Sequence, residues 1–236
     1  MDTRPTYGGV AALIPAAGEG RRMGGAMPKQ FQQLGGREIL ARTLEVFEAC
    51  MVIDEIWVVV AAEHCALCQE TIVERYGLRK VRGVVAGGAT RQESVWRGLQ
   101  HVSEAVELVV VHDGVRPLVT ELLVQRTLAS ASRHGAAIAA VPLKDTLKRV
   151  SEAHEVEGTV PREGLWRIQT PQAFQHTLLR TAFQHAWQQG LQVTDEAGLI
   201  EALGYPVHIV PSYEHNVKIT TPDDVIFCET FLRYQA

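Results

Sequence analysis

Short runs of Val, Ile and Ala alternate along the chain with stretches whose apolar residues recur every three or four positions. The runs are Val10 to Ile14, Glu55 to Ala61, Val81 to Ala86, Leu108 to His112, Ala136 to Val141 and Val207 to Pro211. Their near-continuous apolar character predicts strands buried on both faces, as in a parallel sheet. Between them, Ile39, Leu40, Leu44 and Phe47 mark one helix and Val95, Leu99 and Val102 another. Strands alternating with helices predict a Rossmann-like, doubly wound α/β sheet, mostly parallel, with right-handed crossovers.

The segment from Pro142 to Gln172 breaks this rhythm. Leu143, Asp145, Leu147 and Arg149 alternate, a polar stretch runs from Ser151 to Glu155, and Val156, Gly158 and Val160 resume the alternation. This pattern predicts a protruding β-hairpin arm over about 142–172. A two-stranded ribbon is marginal in water, so the arm is expected to pack on something, a second subunit being the natural candidate. Helices follow over Gln175 to Gln189 and Thr194 to Leu203, and a last helix starts after Thr221, with Pro222 in its first turn. No repeat or linker interrupts the chain, so residues 1–236 read as a single domain carrying an arm.

Composition narrows the class. In 236 residues the net charge is −4, too acidic for indiscriminate binding to nucleic acid or anionic membranes. Any anion site must therefore be local. The longest clean apolar run, Ile56 to Ala62, has seven residues, and a bilayer span needs about twenty. No secretory signal is visible at the start, and a cytoplasmic location is expected. Four cysteines do not make a disulfide scaffold, and the spacing of Cys65 and Cys68 lacks the second pair that a zinc site needs. They read as reduced thiols at the start of a helix.

Ligands of open α/β sheets bind beyond the carboxyl ends of the strands. The loop after Val10 to Ile14 runs Pro15-Ala16-Ala17-Gly18-Glu19-Gly20-Arg21-Arg22-Met23-Gly24 and continues to Pro28-Lys29-Gln30. Small residues let backbone N–H groups approach phosphate oxygens, while Arg22 and Lys29 bring positive charge. Gly18, Gly20 and Gly24 form a loose Gly-x-Gly-x-x-Gly, but Pro15-Ala16-Ala17 intervenes between the strand and the first glycine, the second strand ends near Glu63, too late for the acidic residue of a dinucleotide site, and the loop is strongly basic. A Walker loop fails for want of Gly-Lys-Ser/Thr. A second turn, Gly87-Gly88-Ala89-Thr90-Arg91-Gln92-Glu93-Ser94, opens a helix, and a third, His112-Asp113-Gly114-Val115-Arg116-Pro117, ends a strand. Asp113 is placed to hold a metal-bound water or a substrate hydroxyl; His112 is either a general base or a hydrogen-bonded brace for the loop.

Taken together, these motifs resemble the 2-C-methyl-D-erythritol 4-phosphate cytidylyltransferases. The resemblance rests on Pro15-Ala16-Ala17-Gly18 through Arg22-Met23, Pro28-Lys29-Gln30, Gly87-Gly88 with Arg91 and Ser94, His112-Asp113 with Arg116-Pro117, and Asp145-Thr146 with Lys148. Arg162 with Leu165-Trp166, Thr170-Pro171-Gln172, Thr194-Asp195-Glu196 and Asn216-Val217-Lys218 complete it. It implies that CTP and methylerythritol phosphate become a cytidine-diphosphate alcohol and pyrophosphate in non-mevalonate isoprenoid synthesis, with Mg²⁺ or another divalent cation as cofactor. The metal is implied to ride mainly on the CTP phosphates, with Asp113 a possible ligand. Carried over residue by residue, Arg22, Lys29, Arg162 and Lys218 are implied to be catalytic. Ala16, Ala17, Gly18, Gly20, Gly88, Arg91, Ser94 and Asp113 are implied to hold the nucleotide, and Asp113, Thr146, Arg162, Thr194 and Lys218 the acceptor. The arm is implied to make a homodimer and to deliver Arg162 to the neighbouring site. Two departures stand out: Gly114 lies where the family often has Ala, and Ala89 where some members have Asp. A ribitol 5-phosphate cytidylyltransferase shares most of the motifs, while a nicotinamide-dependent oxidoreductase and a non-catalytic nucleotide-binding module are the readings from other classes.

Overall fold

The computed structural model describes residues 8–18 and 27–235. In chain order its elements are β1 (Val10–Pro15), β2 (Gln33–Leu34), β3 (Arg37–Glu38), α1 (Ile39–Ala49), β4 (Glu55–Val60), α2 (Cys65–Cys68) and β5 (Val81–Ala86). There follow α3 (Arg91–Leu99), β6 (Leu108–Val111), α4 (Glu121–His134), β7 (Ala136–Pro142), β8 (Leu147–Val150), β9 (Val156–Val160) and β10 (Trp166–Gln175). The chain closes with α5 (His176–Gln189), α6 (Glu196–Ala202), β11 (His208–Pro211) and α7 (Pro222–Gln235).

Seven strands form the central sheet in the order β11-β7-β10-β6-β1-β4-β5. All neighbouring pairs are parallel except those made by β10, which runs antiparallel to both β6 and β7. Alternation along β1 divides the core: Val10, Ala12 and Ile14 join Leu44, Phe47 and Leu128 on one face, while Ala11 and Leu13 join Leu99, Phe183 and Ile200 on the other. Helices α1 and α4 thus cover one face and α3, α5 and α6 the other. A smaller cluster of Leu34, Ile39, Val115, Leu118, Ile219 and Cys228 seats α7.

All six expected strands are present, and the expected hairpin is shorter than the pattern suggested. Only β8 and β9 pair with each other, with every β8 residue exposed; Trp166–Gln175 instead re-enters the main sheet. The alternation of the arm and the buried run Gln169 to Phe174 belong to different sheets, and a single change of rhythm concealed the boundary. In β10 the register shifts between Ile168 and Gln172, and Pro171, which cannot donate to a ladder, sits within that bulge.

Local capping fixes the helix starts near the carboxyl ends of the strands. Thr90 Oγ1 accepts from the Glu93 N–H at 3.1 Å, and the Glu93 carboxylate reaches back to the Ala89 N–H at 2.8 Å, a variant of the capping box. Asp195 caps α6 through the Gly198 N–H, at 3.2 Å. Before α7, whose first residue is Pro222 as expected, Asp224 Oδ2 accepts from the backbone N–H groups of Thr220 and Thr221, each at 2.8 Å. The four cysteines are free thiols.

Gly114 has a local packing cause. A Cβ there would lie 2.8 Å from Leu40 Cδ1 and 2.9 Å from Ala16 Cβ, closer than side-chain carbons approach. Gly114→Ala is therefore expected to destabilise the chain by about 1–3 kcal/mol, the usual cost of overpacking, read as a lower urea midpoint at unchanged slope. An unchanged midpoint would mean that the loop relaxes freely.

Candidate active site

Three loops converge where the strand order reverses, between β1 and β6, the position at which open α/β sheets hold ligands. Each continues the ladder of a neighbouring strand end: the N–H groups of Ala16, Gly87 and Gly114 donate to the carbonyls of Val59, Val60 and Pro15 at 2.7, 2.7 and 3.1 Å. The buried Gln30 side chain donates to the Ala16 carbonyl at 2.7 Å, and Lys29 Nζ donates to the Ile219 carbonyl at 2.8 Å. The start of the small-residue loop is thereby tied to the segment before α7.

Asp113 organises the centre. Its carboxylate is buried and meets Lys218 Nζ at 2.9 Å, Arg91 Nε at 3.2 Å and Arg116 Nε at 3.5 Å. Burial alone would raise its pKa; Arg91, Lys218 and Arg116 override that and hold the carboxyl well below the usual range. Arg91 also places Nη1 2.7 and 2.9 Å from the two carboxylate oxygens of Glu196, which is 1% exposed. Burial pushes the Glu196 carboxyl up, and Arg91 offsets only part of that rise. Arg116 reaches the Asn216 carbonyl at 2.8 Å.

His112 is a brace. It is fully buried, with Nε2 3.2 Å from the Arg116 carbonyl and Nδ1 3.0 Å from Thr170 Oγ1, which in turn accepts the Asp113 N–H at 3.1 Å. A carbonyl only accepts, so the proton sits on Nε2 and the neutral ring takes the Thr170 hydroxyl proton at Nδ1. Burial pushes its pKa down to about 3.

Two cavities meet at this cluster. One, of about 370 Å³, is lined by Ala16, Ala17, Gly18, Lys29, Gly88 and Ser94 among others. The other, of about 720 Å³, takes in Thr170, Thr194, Gln172 and the apolar Ile138, Val193 and Ile209. Arg91, Asp113 and Lys218 line both. Of the sequence-predicted residues, Arg22 and Gly20 lie outside the described residues. Thr146 and Arg162 border neither cavity of their own chain; both are exposed, and Arg162 donates to the Lys144 carbonyl at the base of the arm. Glu196 and Arg116 belong to the motifs named from sequence, but neither was given a role there. An acid in the first turn of a helix ordinarily reads as a dipole partner, and only the fold brings Glu196 to Arg91, 105 positions away.

No group of three or more His, Cys, Asp or Glu side chains able to hold a metal exists among the described residues. Asp113, the one carboxylate lining both cavities, already has cations on both oxygens. The described residues therefore do not build a cage for a resident metal. No described helix is long and apolar enough to cross a membrane.

Comparison with known proteins identifies the family. Residues 10–234 match the family model of 2-C-methyl-D-erythritol 4-phosphate cytidylyltransferase. Proteins of that name from Geotalea uraniireducens and Geobacter metallireducens are 46% and 47% identical to this chain, each alignment covering 95% of it and 97% of the relative. Among solved structures, the cytidylyltransferase from Thermus thermophilus superposes with a TM-score of 0.81 at 39% identity, over 95% of this chain and 99% of that one. The 4-diphosphocytidyl-2C-methyl-D-erythritol synthase of Anaerococcus prevotii superposes at 0.83 with 32% identity, over 95% and 96%. The chain belongs to the 2-C-methyl-D-erythritol 4-phosphate cytidylyltransferase family.

The buried neutral His112 makes stability depend on pH. Its pKa is lower folded than unfolded, so the stabilisation is complete above the unfolded value of 6.5 and is lost as pH falls towards 3. Within that window stability should fall by up to about 1.4 kcal/mol per pH unit on this group's account. In His112→Gln, urea titrations between pH 6 and pH 4 should show a slope smaller by about that amount; an identical slope would mean that the ring protonates in the folded state.

Proposed function

We propose that this member of the family transfers the cytidylyl group of CTP to 2-C-methyl-D-erythritol 4-phosphate, with the nucleotide in the smaller cavity and the acceptor in the larger. The observation that carries the assignment is the meeting of the two cavities at Asp113, Arg91 and Lys218. Membership of a cytidylyltransferase family sets aside the oxidoreductase and the non-catalytic readings.

In this reading an oxygen of the acceptor phosphate attacks the α-phosphorus of CTP, the new P–O bond forms, and the bond to the β-phosphate oxygen breaks to release pyrophosphate. The nucleophile needs no general base, because the second pKa of a phosphate monoester is about 6 and most of it is dianionic near neutrality. The site agrees with that economy. Asp113 is engaged by three cations and His112 is walled in, so neither is disposed to take a proton.

The chemical difficulty is charge. A dianion must approach a triphosphate, and further negative charge develops on the leaving pyrophosphate. Fixed positive groups aimed at that charge supply most of the stabilisation in such reactions. Five charged side chains at the centre, Arg91, Arg116, Lys218, Asp113 and Glu196, leave one positive charge over, and Lys29 adds a second at the rim. Arg22 would reinforce it. A divalent cation such as Mg²⁺, carried in on the triphosphate rather than held in a protein cage, would neutralise phosphate charge. Small residues at Ala16, Ala17 and Gly88 leave room for the nucleotide against the backbone, and Thr194 with Lys218 would position the acceptor.

The arm supports a homodimer with shared sites. Leu147, Val150, Val156, Leu165 and Trp166 are exposed on or beside it, and Thr146 and Arg162 have no role in the cavities of their own chain. A two-fold partner would cover the apolar residues and bring these two side chains to the neighbouring acceptor. The same reading places the enzyme in the cytoplasm.

The defining assay supplies CTP and Mg²⁺ with methylerythritol phosphate or ribitol 5-phosphate and measures pyrophosphate release. Release with the first acceptor well above that with the second is expected; preference for ribitol 5-phosphate would overturn the acceptor. Lys29→Ala and Arg22→Ala should each lower kcat on the order of 10² or more, and near-normal turnover in both would remove them from the mechanism. Arg162→Ala subunits refolded together with Lys29→Ala subunits should regain about one quarter of wild-type activity, since about half the dimers are mixed and each mixed dimer has one site free of both lesions. No recovery despite demonstrated mixing would place Arg162 in the site of its own subunit.

A further inference from the structure

Arg91 and Glu196 occupy equivalent positions on two different helices. Each is the first residue of its helix, α3 or α6. The loop leading into α3 carries Gly88 to Thr90 and lines the smaller cavity; the loop leading into α6 carries Val193 to Asp195 and lines the larger. The Arg91 guanidinium touches both carboxylate oxygens of Glu196 through Nη1 and Asp113 through Nε. It therefore spans the two loops and the strand end between them. Glu196 itself borders neither cavity. Its carboxylate is tied instead to Arg91, which lines both.

We propose that Glu196 is a positioning residue whose ion pair with Arg91 couples the two cavities, so that filling one changes the affinity of the other. The proposal rests on the assignment of nucleotide and acceptor to these cavities. With Glu196 in place, Arg91 is shared between two carboxylates and the wall of each cavity is fixed relative to the other. A ligand anion drawing Arg91 towards the smaller cavity pulls on α6 through Glu196, and a ligand ordering the Val193 to Asp195 loop returns the effect. Such coupling is reciprocal by linkage. Remove the carboxylate and the Arg91 charge falls wholly on Asp113, leaving the α6 loop without its charged tie.

A neutral tie lies beside the charged one. The Gln92 side chain donates to the Leu191 carbonyl at 3.2 Å and accepts the Val193 N–H at 3.1 Å, also joining α3 to the loop before α6. Both of these bonds go to the α6 loop and neither involves Asp113. Loss of this link tests whether any connection between the loops suffices.

The experiment measures binding of α,β-methylene-CTP, which cannot release pyrophosphate, by calorimetry with and without saturating methylerythritol phosphate. In the wild-type enzyme the two dissociation constants should differ by about fivefold or more, the usual scale of site-to-site coupling. In Glu196→Gln the ratio should fall to within about twofold of unity, whatever the change in affinity for the analogue alone, which the extra net positive charge at the centre would itself alter. Gln92→Ala should keep the wild-type ratio. If Glu196→Gln does not fold, Glu196→Asp is measured instead, since it keeps the charge, withdraws it by one methylene and carries the same expectation. A ratio of unity in the wild type, a wild-type ratio in the Glu196 variant, or its loss in Gln92→Ala would each overturn the inference. Failure of the analogue or the acceptor to bind the wild-type enzyme at all would instead strike at the cavity assignment beneath it.

Discussion

A buried carboxylate must be paired, and in this protein that requirement shapes the site. Asp113 lies at the end of a central strand, where an unpaired ion would cost several kcal/mol. Its three cations come from the start of α3, from its own loop and from the segment before α7. Satisfying one charge thus draws together three stretches of chain that are distant in sequence. The spaces left between them are the two cavities.

The fold supplies the stage for that convergence. Reversal of strand order between β1 and β6 opens a crevice, and the antiparallel β10 fills the place beside β6 with a strand whose bulge faces the same end. From that bulge Thr170 accepts the Asp113 N–H and donates to His112, and His112 donates to the Arg116 carbonyl. The chain Asp113, Thr170, His112, Arg116 closes on itself, because Arg116 returns to the Asp113 carboxylate. Three of the links are hydrogen bonds and the fourth is an ion pair at 3.5 Å, so each member is held by the next.

Most of the sheet was legible because fully buried strands carry their own signature: Leu108 to Val111 and Ala136 to Val141 are apolar without interruption and buried throughout. Trp166–Gln175 was not legible as a sheet strand. Its exposed first half continues the rhythm of the arm, and its buried half contains Gln169, Thr170 and Gln172, polar residues that only their tertiary partners satisfy. The site divides in the same way. Asp113, Lys29 and Gly88 sit in loops whose composition betrays them, whereas Glu196 matters through its pairing with Arg91, 105 positions away, and Arg116 ties its own loop to the Asn216 carbonyl, 100 positions away. His112 shows the limit from the other side, since a histidine beside an aspartate reads equally as a base and as a brace until its two nitrogens are seen to be occupied.

The division of labour between arginine and lysine follows from geometry. Arg91 serves two carboxylates at once, Asp113 with Nε and Glu196 with Nη1, and Arg116 combines Asp113 with a backbone carbonyl. A planar fork with several fixed donors can hold such a junction; an ammonium on a flexible stem cannot. Lys218 meets Asp113 from the rim, and its side chain is 38% exposed, against 11% for Arg116. A compact, partly hydrated charge there can turn from a carboxylate to a phosphate at little structural cost, while the arginines behind it stay in place. The frame is thus built of guanidinium pairs and the adjustable charge of lysine. This explains how a chain of net charge −4 can concentrate positive potential where two polyanions must meet.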